Sequence, residues 1–131
     1  MHRGSCLCGA VKYEIDAPIA SASHCHCSMC RKAHGAAFGS YGNVRREHFR
    51  FTAGEDQVAT YHSSPGVSRT FCRQCGATLQ WFAEHPHPEW LSVALGTLDT
   101  PLGVIPQKHI FPESKADWYQ IADGLPQESR S

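Results

Sequence analysis

Cys6-Leu7-Cys8-Gly9 near the start of the chain and Phe71-Cys72-Arg73-Gln74-Cys75-Gly76 past its middle decide how this sequence folds. In both stretches a glycine follows the last cysteine, which lets the backbone turn tightly and aim amide hydrogens at thiolate sulfur. Each turn offers two thiolates and a structural tetrahedral zinc takes four, so the simplest closed site joins Cys6, Cys8, Cys72 and Cys75. Such a site pins the beginning of the chain to its middle. The alternative is two independent pairs, redox-active or merely buried. A reactive Cys-x-x-Cys expects a βαβ setting, and the sequence shows none.

The remaining three of the seven cysteines lie in His24-Cys25-His26-Cys27-Ser28-Met29-Cys30-Arg31-Lys32. Cys27 and Cys30 stand one helical turn apart and can face the same side, while Cys25 approaches from the extended residues before them. Three protein ligands with a fourth position left to water or substrate is the arrangement of a catalytic zinc. A histidine could instead close the site: His24 and His26 flank Cys25 too tightly to chelate the same ion, but His34 or the distant His109 could reach. Three thiolates outweigh a dication by one charge, which damps its Lewis acidity and suits it to a soft incoming thiolate. A thiol held there would lose its proton and attack an aldehyde carbonyl, with His26 and His34 as candidates to move the proton. Arg31 and Lys32 would offset the thiolate charge or hold a substrate carboxylate, unless they are simply solvated. Ser28 would hydrogen-bond a thiolate or cap the helix start.

Around the clusters run short β-prone segments separated by glycine, proline and polar breaks, which predicts a mostly β protein of antiparallel sheets. Ala10–Ile15 alternates, with Val11, Tyr13 and Ile15 on one face. Similar segments occupy 49–52, 57–62, 67–71, 77–82 and 90–95. Phe49, Phe51, Trp81, Phe82 and Trp90 could line a pocket, but aromatics on strands are expected in the core. Helix is scarce, with one segment from Ser28 to about His34, ending before Gly35, and a further turn near Ala116-Asp117-Trp118-Tyr119. Trp118 and Tyr119 would cover the site or pack the tail. The 131 residues suit a single domain, with a loose tail after about residue 125.

Twelve basic residues balance twelve acidic ones and the pI is near 7.1, so no general electrostatic footprint for nucleic acid or an anionic membrane exists. No apolar run approaches the roughly 20 residues of a membrane span. Met1-His2-Arg3-Gly4 does not resemble a secretory leader, which gives a cytoplasmic expectation. In that reducing compartment clustered cysteines bind metals more often than they form disulfides, and seven cannot all pair.

Taken together, Gly4-Ser5-Cys6-Leu7-Cys8-Gly9-Ala10-Val11, Cys25-His26-Cys27-Ser28-Met29-Cys30-Arg31-Lys32 with Gly35-Ala36-Ala37-Phe38, and Phe71-Cys72-Arg73-Gln74-Cys75-Gly76 resemble the glutathione-dependent formaldehyde-activating enzyme family. The closing stretch is also similar, in His109-Ile110-Phe111, Lys115, Trp118 and Asp123-Gly124-Leu125-Pro126. The resemblance implies an Mss4-like fold with two zinc ions per chain, the structural one on Cys6, Cys8, Cys72 and Cys75 and the catalytic one on Cys25, Cys27 and Cys30. It also implies a carbon-sulfur lyase that joins glutathione to formaldehyde, giving S-hydroxymethylglutathione, or cleaves such a thiol-aldehyde adduct. A reading of another class is a zinc-stabilised binding module, since Mss4-like folds also serve proteins that bind partners.

Overall fold

The first cysteine turn joins two antiparallel strands, β1 (His2–Ser5) and β2 (Lys12–Ile15), with His2 opposite Ile15. The chain, seen in a computed structural model that describes residues 1–129, then forms β3 (Ala22–Cys25), helix α1 (Ser28–His34), β4 (Gly39–Arg45), β5 (Phe49–Ala53) and β6 (Val58–Ser64). The second cysteine turn joins β7 (Val67–Cys72) to β8 (Thr78–Ala83), and β9 (Trp90–Ala94), β10 (Gln107–Ile110) and β11 (Gln127–Glu128) follow. Both turns use one backbone scheme. The Cys6 N–H donates to the Val11 carbonyl at 3.0 Å and the Gly9 N–H to the Cys6 carbonyl at 3.1 Å. Likewise the Cys72 N–H donates to Ala77 at 3.0 Å and the Gly76 N–H to Cys72 at 2.8 Å. Gly9 and Gly76 close these turns at φ 80° and 77°, a left-handed conformation that a side chain disfavours.

Among the described residues the strands make two sheets. One is three-stranded, β1-β2-β5, and the other eight-stranded, in the order β11-β10-β3-β4-β9-β8-β7-β6. The two cysteine turns therefore belong to different sheets, and a metal shared between them would fasten one sheet to the other. Tyr13 and Ile15 of the small sheet pack with Ile19, Val44, Leu91 and Val93 against the large one, with Phe49, Phe51 and Phe82 beside them. Those phenylalanines are in the core as their strand pattern predicts. Trp81 packs beside Cys25 and Cys30, and Trp90 lies half-buried under the Arg45 guanidinium, 5.5 Å from its ring.

The segments that alternate in sequence all form strands, but the large sheet is not purely antiparallel. β10 runs parallel to both β3 and β11, so the expectation of antiparallel sheets is corrected to a mixed sheet. The tail expected to be loose past residue 125 is corrected in part as well, because Gln127–Glu128 pairs with β10. Arg130 and Ser131 lie outside the described residues.

β4 sits in the middle of the large sheet without a β-prone sequence, because its two glycines answer to packing. A Cβ on Gly42 would stand 2.8 Å from Ile19 Cγ2 and 2.9 Å from Leu95 Cδ2, and one on Gly39 would stand 2.6 Å from His34 Nε2. These neighbours fill the space that a side chain would take. Gly42→Ala is accordingly expected to cost about 1–3 kcal/mol through overpacking, read as a lower urea midpoint with an unchanged slope.

No helix among the described residues is long and apolar enough to cross a membrane. The short helix α1 begins on a ligand candidate: its N-cap is Cys27, whose Sγ accepts from the Cys30 N–H, so Ser28 stands one residue inside the helix and is not the cap. Gly35 ends α1 in the left-handed conformation at φ 60°, as its place in the sequence suggests. The turn near residue 116 forms, with the Tyr119 N–H donating to the Ala116 carbonyl at 3.3 Å.

Candidate metal centres

Cys6 and Cys8 lie in the β1–β2 turn and Cys72 and Cys75 at the β7–β8 turn, and their four sulfurs all fall within 4.8 Å of one another. Four sulfurs at about 2.3 Å from a tetrahedral zinc stand roughly 3.8 Å apart. The separations of 3.6 Å for Cys6–Cys8 and 3.9 Å for Cys8–Cys72 fit that figure. Amide hydrogens point at the sulfurs, the Val11 N–H donating to Cys6 at 3.3 Å. The backbone N–H groups of Ala77 and Cys8 push the Cys75 thiol down to about 6, so it is ready to be a thiolate ligand. Cys6 and Cys72 are buried with Val11 and Leu79, and this cluster is closed by four donors of its own.

Cys25 ends β3, Cys27 caps α1 and Cys30 lies in its first turn, and these three sulfurs also gather within 4.8 Å. Their protons are unevenly held. The neighbouring Cys25 and Cys30 thiols drive the Cys27 pKa far down, whereas Cys27 and Cys30 drive the Cys25 pKa far up. One thiolate forms easily and the last proton is tenaciously kept unless a cation replaces it. The donor set fits a soft or borderline metal such as zinc.

Neither histidine that could have closed this cluster joins it. His109 has both ring nitrogens engaged, Nδ1 with His26 Nε2 at 2.7 Å and Nε2 with Asp123 Oδ2 at 2.8 Å. His34 Nε2 faces the Tyr41 hydroxyl at 2.7 Å. His24 is likewise occupied, by Ser40 Oγ at 2.8 Å and Gln107 Oε1 at 2.9 Å. Among the described residues this candidate cluster is left with three protein donors.

A family model described as glutathione-dependent formaldehyde-activating enzyme matches residues 1–114. The chain belongs to this family. A Halomonas elongata protein provisionally named as such an enzyme is 31% identical over 128 residues, covering 90% of this chain and 79% of its own. A Podospora anserina protein with the same provisional name is 35% identical over 85 residues, 63% of this chain, which spans only 40% of that longer relative. An uncharacterized lyase of Schizosaccharomyces pombe is 30% identical over 60% of this chain and 55% of its own. A Rhodobacter sphaeroides protein of known crystal structure superposes with a TM-score of 0.65 at 28% identity, covering 80% of this chain and 98% of the other. The family is one of enzymes by its description, and one of these relatives is named a lyase.

In this formaldehyde-activating family member the sequence-predicted residues divide between two faces of β3. Cys25 packs with Cys30, Tyr41, Ala94 and Ile110. His24 and His26 turn to the opposite side, where the His26 ring lies 4.9 Å from those of Phe38 and His109. Asp123 accepts from His109, the other ring nitrogen of His109 shares a hydrogen bond with His26 Nε2, and the Nδ1 of the fully buried His26 is left without a partner. His109 holds the Asp123 carboxyl below its usual range. This buried line ties the C-terminal segment to the strand that carries Cys25. Tyr119 closes over it, its ring 5.4 Å from that of Phe38, whereas Trp118 is 70% exposed.

The sequence reading missed Arg69, on β7. The residue is 8% exposed, and its guanidinium donates from Nη2 and Nη1 to Cys30 Sγ at 3.6 and 3.7 Å. The signal was present, because Val67, Arg69 and Phe71 share one face of an alternating strand and an arginine there must enter the interior. Tyr41 was missed as well. It stands between Arg69 Nη1, at 3.4 Å, and His34.

Proposed function

We propose that this chain is a zinc-dependent lyase acting in the reducing cytoplasm, with two zinc ions, that joins a thiol to an aldehyde or cleaves their adduct. Glutathione and formaldehyde, giving S-hydroxymethylglutathione, are the substrates the family name suggests. The observation that carries the reading is the inequality of the two clusters: four sulfurs close one, while three sulfurs and no histidine leave the other short of a ligand. Bound zinc would supply a Lewis acid with one coordination position open to a sulfur ligand.

The chain's own residues do the rest. Cys25, Cys27 and Cys30 hold the ion on a strand end and a helix start, two rigid elements. Arg31 follows Cys30 directly on α1 and Lys32 stands exposed beside it, and these charges meet the carboxylates of a glutathione-like thiol. In the forward direction the carbon-sulfur bond forms as the carbonyl π bond breaks, and the thiol proton ends on the new hydroxyl oxygen. His34, whose Nε2 faces the Tyr41 hydroxyl next to this cluster, is the residue that takes the proton and returns it. His26 was the other candidate from sequence, and it stands on the far face of β3 with its Nε2 turned to His109, which favours His34.

The test is exchange spectroscopy on 13C-formaldehyde mixed with glutathione. The exchange rate between free and thiol-bound carbon should rise in proportion to added protein, and the Cys27→Ala variant should leave it at the uncatalysed value. A rate unchanged by the wild-type protein over a panel of thiols and aldehydes would refute catalysis and return the chain to the binding-module reading.

A further inference from the structure

We propose that Arg69 is a positioning residue of the three-cysteine centre, whose two bonds to Cys30 cancel the surplus negative charge of three thiolates and so make the open position receptive to an anionic thiolate. This rests on the reading of that cluster as an open zinc centre.

Arg69 stands in the middle of β7, opposite Tyr61 on β6 and Trp81 on β8. Four of the five N–H donors of its guanidinium fork are committed inward. Nε donates to Ser63 Oγ at 3.1 Å, Nη1 to the Tyr41 hydroxyl at 3.4 Å, and both terminal nitrogens to Cys30 Sγ. A guanidinium cannot shed its proton in a protein, so a buried one needs a counter-charge close by. Among the described residues Arg69 makes no salt bridge to a carboxylate. The sulfurs of Cys25, Cys27 and Cys30 are the anionic group it faces, which explains why a strand otherwise turned to the core carries a cation.

The consequence for ligand binding follows from charge. Three thiolates around a dication leave a net charge of minus one, and a fourth thiolate approaching through a partly dry site is repelled by it. One guanidinium bonded to the cluster brings the sum to zero and removes that repulsion. The same two hydrogen bonds draw electron density from Cys30, making it the weakest donor of the three and leaving more Lewis acidity for the open position. A lysine would supply the charge but not the fork, because its ammonium is a single point.

The test replaces zinc in the open centre of the full chain with cobalt(II) and compares the wild type with Arg69→Met and Arg69→Lys. In Arg69→Met the sulfur-to-cobalt charge-transfer band moves to longer wavelength, because Cys30 loses two donors. Affinity for 2-mercaptoethanol falls by about tenfold or more, while affinity for imidazole, a neutral ligand, stays within about twofold. In Arg69→Lys the band still moves, but most of the mercaptoethanol affinity returns. An Arg69→Met protein with the wild-type band and wild-type thiol affinity overturns the proposal. If Arg69→Met does not fold, Arg69→Lys decides alone, and an unmoved band overturns it. Should wild-type cobalt protein ignore mercaptoethanol altogether, the thiol reading of the function fails, and the band position by itself then establishes or refutes the bond from Arg69 to Cys30.

Discussion

Cys72→Ser is expected to unfold the protein. Cys72 is fully buried at the end of β7, in a cluster with Cys6, Val11 and Leu79. Its sulfur stands 3.9 Å from that of Cys8, which belongs to the other sheet. Zinc on four thiolates contributes an apparent 10–16 kcal/mol or so to folding in small metal domains, whereas a whole domain is stable by only about 5–15 kcal/mol. Losing even a third of the first quantity consumes most of a modest stability. The serine hydroxyl adds to the loss, since a buried polar group without a partner costs about 1–3 kcal/mol more. The three-stranded sheet would then be held mainly by Tyr13 and Ile15 against the large sheet. Near-ultraviolet circular dichroism of Cys72→Ser should show lost tertiary signal, and wild-type protein treated with a strong chelator should reach the same end state. A variant that melts within a few degrees of wild type would deny this site its structural role.

Cys27→Ala is expected to do the reverse, removing activity and sparing the fold. The replaced group is one of the three sulfurs of the proposed open centre and the N-cap of a seven-residue helix at its edge. Loss of a cap costs about 0.5–2 kcal/mol, which the two sheets can bear. Disturbing residues outside a metal's ligand set already costs about 10–100-fold, so loss of a direct ligand should cost more than about 100-fold in turnover. Metal analysis should find one zinc per chain instead of two, with far-ultraviolet circular dichroism unchanged. If Cys72→Ser and Cys27→Ala lowered stability by similar amounts, the division into a structural and a catalytic site would be wrong.

Which parts of this architecture the sequence reveals depends on how local the governing contact is. The cysteine turns are legible because a Cys-Gly turn is written in four to six consecutive residues, and the same backbone hydrogen bonds recur in both. β2 and β5 to β9 are legible because their alternation is local too. β4 is not, because Gly39 and Gly42 obey side chains from α1, from the loop bearing Ile19 and from Leu95. β10 is polar and joins its sheet parallel to a strand more than eighty residues earlier, which no short-range pattern announces.

The site divides in the same way. Both sulfur clusters follow from spacing. Arg69 does not, because its partner Cys30 lies 39 residues away, and only the alternation of β7 hinted that its side chain turns inward. The histidines mislead for a related reason: closeness in sequence to Cys25 and Cys27 places His26 on the opposite face, whereas His34, farther along, comes round on α1 to meet Tyr41. Asp123, which holds the back of that strand through His109, is invisible until the C-terminal segment is seen to return.

The most direct measurement of the central claim, that four cysteines close one site and three leave the other open, is cadmium-113 NMR of the chain with both zincs exchanged. Two signals are predicted, one from an all-sulfur site that ignores glutathione and one from a three-sulfur site that shifts as glutathione is added. Two signals that both stay fixed under glutathione, or one signal alone, would contradict it.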